Sequence, residues 1–395
     1  MSAKLREHDI IAFDTEFIRE TTFYPCVEII QIATDEESWL VDAQAFKDPK
    51  TLENLRPLLD IFEDRSILKI VHASQGDQEC LYTTFGVVAV NTLDTAVAAS
   101  LCGYGDSIGL GNLLKAALGV TIKKGHARTN WSVRPLPPQL LEYAHVDVEY
   151  LVATARKLIG ELEKLGRKEW ALEVSAKWEV VSLYQPDPVG MAQKLARGGR
   201  LDQRGYAALL ELMKWREERV RQVNLPRRWV ADDNILMDLA HVRPKDIAHL
   251  GTFRGINKGE LSKSGEAILA ALHRANDAKD VVLPKLPRPE IPNASEAQAL
   301  ELLRCYVGIL ADRHQIAAKH LMTAAQLLPL MRSKIEHPSD LVARGVLSEG
   351  SSRLIGDEVI AMLKGKRALS VEGSRVKIVK LDKILEQVGD PKLLE

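Results

Sequence analysis

Cysteine is scarce in this chain of 395 residues, and the four present follow no pattern. Cys26, Cys80, Cys102 and Cys305 are scattered and form no C-x-x-C pair. That spacing argues against a disulfide framework or a zinc site and fits a reducing cytosol. Aromatic residues are sparse at 5%. No apolar run is long enough to span a bilayer, and the opening MSAKLREHD carries no apolar signal region. A cytoplasmic protein without a membrane partner is expected. Net charge is also nearly absent, at −1, but it is unevenly spread. Residues 1–170 hold 18 Lys+Arg against 25 Asp+Glu, residues 171–279 hold 18 against 14, and residues 280–395 hold 17 against 15. An acidic first third can bind cations, and the mildly basic remainder carries a weak signal for a polyanion. The 46% hydrophobic content supports sizeable cores, and the length suggests two or three domains.

The first third reads as α/β. DIIAFDTEF (Asp9 to Phe17), VEIIQIAT (Val27 to Thr34) and ESWLVDA (Glu37 to Ala43) have strand length and composition. TLENLRPLLDIF has helical spacing, with Thr51 as its expected N-cap. SILKIVHAS (Ser66 to Ser74) reads as a buried strand, and GDQECLYTTFG as a helix stopped by Gly86. NTLDTAVAASL, IGLGNLLKAALG and EYAHVDVEYL continue as helices. Gly109 and Gly111 lack the third glycine of a dinucleotide loop, so no organic cofactor is expected. Three neighbouring strands, then strands alternating with helices, predict a mixed sheet covered by helices.

Beyond about residue 170 strand signals nearly vanish. YQPDPVG and KLARGGRL read as linker. DQRGYAALLELMKWREERV carries one apolar stripe: Tyr206, Leu209, Leu210, Met213 and Val220. PKLPRPEIP (residues 284–292) reads as an extended linker. ASEAQALELLRCYVGILADRH then repeats the amphipathic design, and IAAKHLMTAAQLLPLM loosely echoes WVADDNILMDLA. Two related helical units follow from this repetition.

The chemistry gathers in three acidic stretches. Asp14 and Glu16 in IAFDTEFI alternate on one strand and so share a face. Two such carboxylates repel unless a cation neutralises them. Asp77 follows SILKIVHAS at the start of the next helix, where an ordinary helix-start carboxylate is the plainer reading. Tyr143 and Asp147 lie four apart and share one helix face. Four carboxylates from three segments suit Mg²⁺ or Mn²⁺, and two such ions about 4 Å apart clamp the attacking and leaving oxygens of a phosphoryl displacement. A tyrosine one turn before Asp147 can orient the attacking water.

DTEF, HASQGDQECL and YAHVDVEYL resemble the three exonuclease motifs of the DEDD superfamily, in its tyrosine branch. FDTEFIRETTFYPCVEIIQIAT and RTNWSVRPLPPQLLEYAHVDVEYL are similar to the extended motifs of the ribonuclease D family. The two helical repeats resemble the HRDC (helicase and RNase D C-terminal) domains that follow the nuclease there. The resemblance spans nearly the whole chain. It implies a ribonuclease H-like mixed-sheet exonuclease domain over residues 1–170, a linker over 171–199, an HRDC domain over 200–279, a proline-rich linker over 280–293 and an HRDC-like domain over 294–385. It implies a 3′–5′ exoribonuclease that trims structured RNA precursors, chiefly tRNA, and releases nucleoside 5′-monophosphates.

Roles follow from the same resemblance. Asp14 would bridge two divalent ions, Glu16 and Asp147 would hold the one that activates water, and Asp77 the one on the leaving group. Tyr143 would align the nucleophile, and Glu16 with backbone near Phe17 would grip the terminal ribose. Asn130 departs from the family's usual Asp, which puts a salt bridge there in doubt. Only thirteen residues precede Asp14, so the family's opening strand–helix region is expected to be short.

Four further readings concern the substrate. His72 reads as structural ahead of a substrate contact. Arg128, Trp131 and Arg134 are expected either to line an RNA path or, for Trp131, to anchor a loop. Arg216, Arg219, Arg221, Arg227 and Arg228 form either a phosphate-facing patch or a solvated helix face. A DNA-directed exonuclease and a non-catalytic nucleic-acid-binding scaffold are the competing functions, and the intact acidic set speaks against the scaffold.

Overall fold

A computed structural model describes residues 1–122, 125, 129–253, 258–276, 285–286 and 290–382. Arg128 and part of the proline-rich stretch lie outside the described residues. Five strands form one mixed sheet: β1 (Ile10–Ile18), β2 (Cys26–Ala33), β3 (Ser38–Asp42), β4 (Leu68–Val71) and β5 (Thr92–Asp94), in the order β3-β2-β1-β4-β5. β1 pairs antiparallel with β2 and parallel with β4, and β4 pairs parallel with β5. The mixed sheet expected from the sequence is therefore present. β5 was hidden inside NTLDTAVAASL, because three residues are too few to show a period of two.

Alternation along β1 divides the sheet into two faces. Ile11 and Phe13 join Ile30, Ile32, Leu58, Phe62 and Leu81 in one core, where the rings of Phe13 and Phe62 stand 5.0 Å apart. Ile10 and Ala12 point to the opposite face and pack with Ile70, Val148, Leu151 and Leu158. Burying each such side chain contributes about 1.5–3 kcal/mol. Asp14 and Glu16 continue this second face. The helix Pro138–Glu149 packs over β1, β2 and β3 and roofs it.

Several helix boundaries differ from expectation. The stretch around Thr51 is two short helices, Pro49–Leu52 and Arg56–Phe62, and the cap is Asp48, which accepts from the Lys50 N–H. The dipeptide Asp48–Pro49 explains this: the acid caps and the proline fills the first helical position. Gly86 does stop the helix Gln75–Phe85, at φ 75°, where an L side chain would be strained. Residues 171–199, expected as linker, contain much of the helix Lys168–Ser175 and all of the helix Pro188–Ala196, again opened by an Asp–Pro pair.

The helical remainder contains two runs of matching elements. The first is Gln203–Val223, Arg227–Val230 and Asp233–Val242; the second is Ala294–His314, Ala318–Leu321 and Ala324–Arg332. Both long helices have 21 residues and end on a left-handed residue, Asn224 at φ 47° or Gln315 at φ 52°. The expected stripe is buried at Tyr206, Leu209, Met213 and Val220, with Leu210 half-buried. A hairpin, β6 (Arg367–Glu372) with β7 (Arg375–Lys380), follows the second run, in a region where the sequence shows almost no strand signal.

Candidate active site

β1 outruns its neighbour. Its pairing with β4 ends at Ala12 opposite Ile70, so further along that edge its backbone has no strand beside it. Asp77 occupies the gap. Its Oδ1 accepts from the Thr15 N–H at 3.0 Å and from the Thr15 hydroxyl at 2.6 Å. The turn leading to Asp77 is held by buried Asp94, whose carboxylate accepts from the Ala73 N–H, the Ser74 N–H and the Ser74 hydroxyl at 2.9–3.0 Å. Ala73 lies at φ 60°, a conformation costing an L residue about 1–2 kcal/mol. Asp94 thus offsets local strain at the turn that delivers Asp77.

From above, the roof helix delivers Asp147. Oxygens of Asp14, Glu16 and Asp147 lie within 4.8 Å of one another. Just past Glu16 the register with β2 shifts, an irregularity that re-aims side chains at the end of a strand. Phe17 follows it, half-buried, its ring beside Gly76, where a Cβ would stand 3.5 Å from the ring.

Burial and mutual repulsion shape the protonation. Asp14 is pushed well up by burial, then by Asp77, Asp147 and Glu16. Burial, with Asp147 and Asp77, pushes Glu16 up to about 9. Burial lifts Asp77 to about 7 despite its bonds from Thr15, and lifts Asp147 to about 6 against a hydrogen bond from Tyr143. Burial and these acids push the Tyr143 phenol upward too, so it stays a hydroxyl donor. Among the described residues no lysine or arginine neutralises Asp14, Glu16 or Asp147. Buried, clustered hard oxygens without a cationic side chain fit a divalent ion.

Trp131 is 1% exposed and packs with Ile29, Leu140 and Ala144, its ring 6.2 Å from that of Tyr143. It packs beside the tyrosine in the small cluster beneath the roof helix. Asn130 makes a turn instead of an ion pair, accepting from the Ser132 N–H and hydroxyl. Arg134 takes Asp42 with two nitrogens at 2.6 Å and the Trp131 carbonyl at 2.7 Å, which holds the loop without Asn130. His72 Nδ1 bonds the Thr95 hydroxyl at 2.9 Å, and burial lowers its pKa. Arg128 lies outside the described residues.

Four of the five candidate arginines have partners within the protein. Arg216 is 1% exposed and meets Asp233, Arg219 meets Glu260, and Arg227 meets Glu217. Arg221 donates to the Glu217 carbonyl. Arg228 alone of the five is exposed without such a partner among the described residues. Thr15 and Asp94 are the supporting residues that sequence reasoning missed. An Asp–Thr pair opening an apolar run signals an N-cap, and Asp94 does accept from the Ala96 N–H, but nothing local shows Thr15 reaching Asp77.

Comparison with known families settles the class. Residues 1–163 match the 3′–5′ exonuclease family model, and residues 207–272 match the HRDC domain model. The fold is that of a 3′–5′ exonuclease followed by an HRDC domain. Ribonuclease D of Nitrobacter hamburgensis is 33% identical over 380 residues, 95% of each chain. Ribonuclease D of Bartonella henselae is 31% identical over 380 residues, covering 95% of this chain and 90% of the other. The crystal structure of Escherichia coli RNase D, an exoribonuclease involved in structured RNA processing, matches with a TM-score of 0.78 at 26% identity, covering 92% of this chain and 95% of that one. The chain belongs to the ribonuclease D family and is a 3′–5′ exoribonuclease.

Proposed function

We propose that this exoribonuclease trims the 3′ ends of structured RNA precursors, chiefly tRNA, and releases nucleoside 5′-monophosphates with two divalent ions, Mg²⁺ or Mn²⁺. The observation that carries this reading is the convergence of Asp14, Glu16 and Asp147 within 4.8 Å beneath Tyr143. Bound ions would polarise the phosphate and stabilise the attacking and leaving oxygens. Asp14, which feels all three other carboxylates, would serve both ions. Asp77 has one oxygen committed to Thr15 and would serve the leaving-group side with the other. Tyr143 stays protonated and can hold the attacking water through its hydroxyl. Glu16 and the Phe17 backbone would grip the terminal ribose. His72 is assigned to support.

The matching helix runs support reading the second unit as HRDC-like also, with the nuclease, HRDC and HRDC-like parts near 1–170, 200–279 and 294–385. A cytoplasmic location agrees with four unpaired cysteines; no helix among the described residues is long and apolar enough to cross a membrane. The test is digestion of 3′-extended tRNA, linear RNA and matched DNA with Mg²⁺, Mn²⁺ or neither. Trimming of the tRNA that depends on metal is expected; equal cutting of DNA would favour the DNA-directed reading. In the same assay Asp14→Asn and Asp147→Asn should lose ~10³-fold or more, about 4 kcal/mol of transition-state stabilisation, and Tyr143→Phe ~10- to 1000-fold. Near-normal turnover by either aspartate variant would remove the metal assignment.

A further inference from the structure

Gln31 lies on β2 directly opposite Asp14 on β1 and opposite Leu40 on β3. Facing residues of an antiparallel pair project to the same side of the sheet. Gln31 therefore shares the carboxylate face. It is 0% exposed, and neither Oε1 nor Nε2 has a hydrogen-bond partner among the described residues. A buried polar group left unpaired costs about 1–3 kcal/mol, so a native structure that keeps one has a reason for it.

The surroundings narrow the reason. Ile29 and Ala33 flank Gln31 on its own strand; Ile29 shares an apolar cluster with Ala144 of the roof helix, and Ala33 shares another with Val148. An apolar residue would suit such a neighbourhood better. The polar groups on this face are few. His145 is engaged through Nδ1 by the Ser38 hydroxyl at 2.8 Å. Tyr143 is bonded to Asp147. Asp14 stands across from Gln31 in register.

We propose that Gln31 is a positioning residue of the metal centre: unpartnered in the metal-free chain, its amide N–H would turn to donate to the Asp14 carboxylate when an ion binds there, and so set which oxygen faces the ion. The inference rests on the reading of Asp14, Glu16 and Asp147 as metal ligands. A neutral donor suits the task. It holds an ionised carboxylate by a hydrogen bond without cancelling the charge that attracts the cation, as a lysine would. Partners that orient metal ligands in this way are commonly worth 10–100-fold in metal affinity.

The test is Mn²⁺ titration by calorimetry, without RNA, of the full chain and of Gln31→Leu, Gln31→Met and Asp14→Asn, each with a melting curve in chelator. Gln31→Leu and Gln31→Met should weaken Mn²⁺ binding ~10–100-fold. Their metal-free melting temperatures should hold or rise, because two unpaired buried polar atoms are removed at similar volume. Affinity within about twofold of the natural chain in both Gln31 variants, with Asp14→Asn unable to bind, overturns the assignment of Gln31 alone. Natural affinity in Asp14→Asn overturns the metal-centre reading beneath it. A sharp fall in metal-free melting temperature for both Gln31 variants would mark the amide as structural and also overturn the proposal.

Discussion

The two helical units have the same parts and opposite dependencies. The first buries Tyr206, Leu212, Leu236 and Leu272 in a core of its own, and among the described residues only Phe23 of the nuclease packs against that core. In the second, Leu303, Tyr306, Leu330 and Ile355 belong to one continuous cluster with Ile10, Ile70, Leu158 and Trp170 of the nuclease. Arg167 reinforces this seam from the nuclease side, donating to the Leu101 and His314 carbonyls. The first unit is instead joined through a corner. Asn224, the left-handed cap of its long helix, accepts from the Phe23 and Tyr24 N–H groups at 3.1 Å each, and the Arg227 guanidinium lies 4.8 Å from the Phe23 ring centre. A repeated sequence pattern therefore predicts a repeated local fold and says little about docking. That is decided by which face of each helix run remains apolar after its own packing.

The sharpest way to break this comparison is Trp170→Ala. Trp170 is 4% exposed and lies so close to Gly350 of the second unit that a Cβ there would clash with the indole. Truncating it should cost about 3–5 kcal/mol, or roughly 6–20 °C in melting temperature for a block of this size. Nuclease and second unit should melt together, as followed by circular dichroism and loss of activity. If the nuclease melts unchanged while the second unit is lost, the shared core is not cooperative. For the same reason a chain cut near residue 180 should not yield a stable nuclease.

A smaller effect comes from pH. Without divalent ions, Glu16 near 9, Asp77 near 7 and Asp147 near 6 all lie above their ordinary values. Between those ordinary values and the raised ones the folded state binds more protons than the unfolded, so stability falls as pH rises. The nuclease block should lose several degrees of melting temperature from pH 5 to 9 in chelator, and Mn²⁺ should restore most of the loss at pH 9. The first unit behaves oppositely. Burial pushes Glu211 and Glu260 up, but bonds from Lys214 and Arg274, and from Arg219 and Ser264, outweigh it and hold both below the ordinary value. Their contribution is present at pH 5 and above and fades only in stronger acid. A first unit that loses stability in step with the nuclease over pH 5–9 would mean the two are one cooperative block.

What the sequence revealed about the site was local. Asp14 with Glu16, and Tyr143 with Asp147, follow from periods of two and four, and the structure keeps both pairs on shared faces. What it concealed depended on partners far along the chain. Thr15 meets Asp77 across 62 positions, and Arg216 contributes to a charge count but is buried against Asp233. Trp131 offered no period to distinguish a buried prop from an exposed platform. The hairpin β6–β7 was legible: a Gly373–Ser374 turn, with Gly373 at φ 60°, separates two alternating runs. Its helical surroundings masked it. Within 171–199 the proline and glycine hid a helix, because Pro188 begins one capped by Asp187.

The mildest test addresses the corner itself. Asn224 lies at φ 47°, ψ 46°, a conformation that glycine adopts freely. Asn224→Gly therefore keeps the backbone turn and removes only the oxygen that accepts from Phe23 and Tyr24. Losing those two hydrogen bonds should cost about 1–2 kcal/mol at the junction, while Arg227 keeps its place over Phe23, worth about 0.5–1 kcal/mol. Amide exchange at Phe23 and Tyr24 should accelerate ~5–30-fold, the factor that free-energy change implies. Exchange within Gln203–Val223 should stay as it was, since that helix is stabilised by its own core. The loop so loosened connects β1 to β2, so trimming of structured RNA should slow modestly while short single strands are cut at the natural rate. Unchanged exchange at the two amides would show that the apolar contact of Phe23 alone holds the first unit to the nuclease.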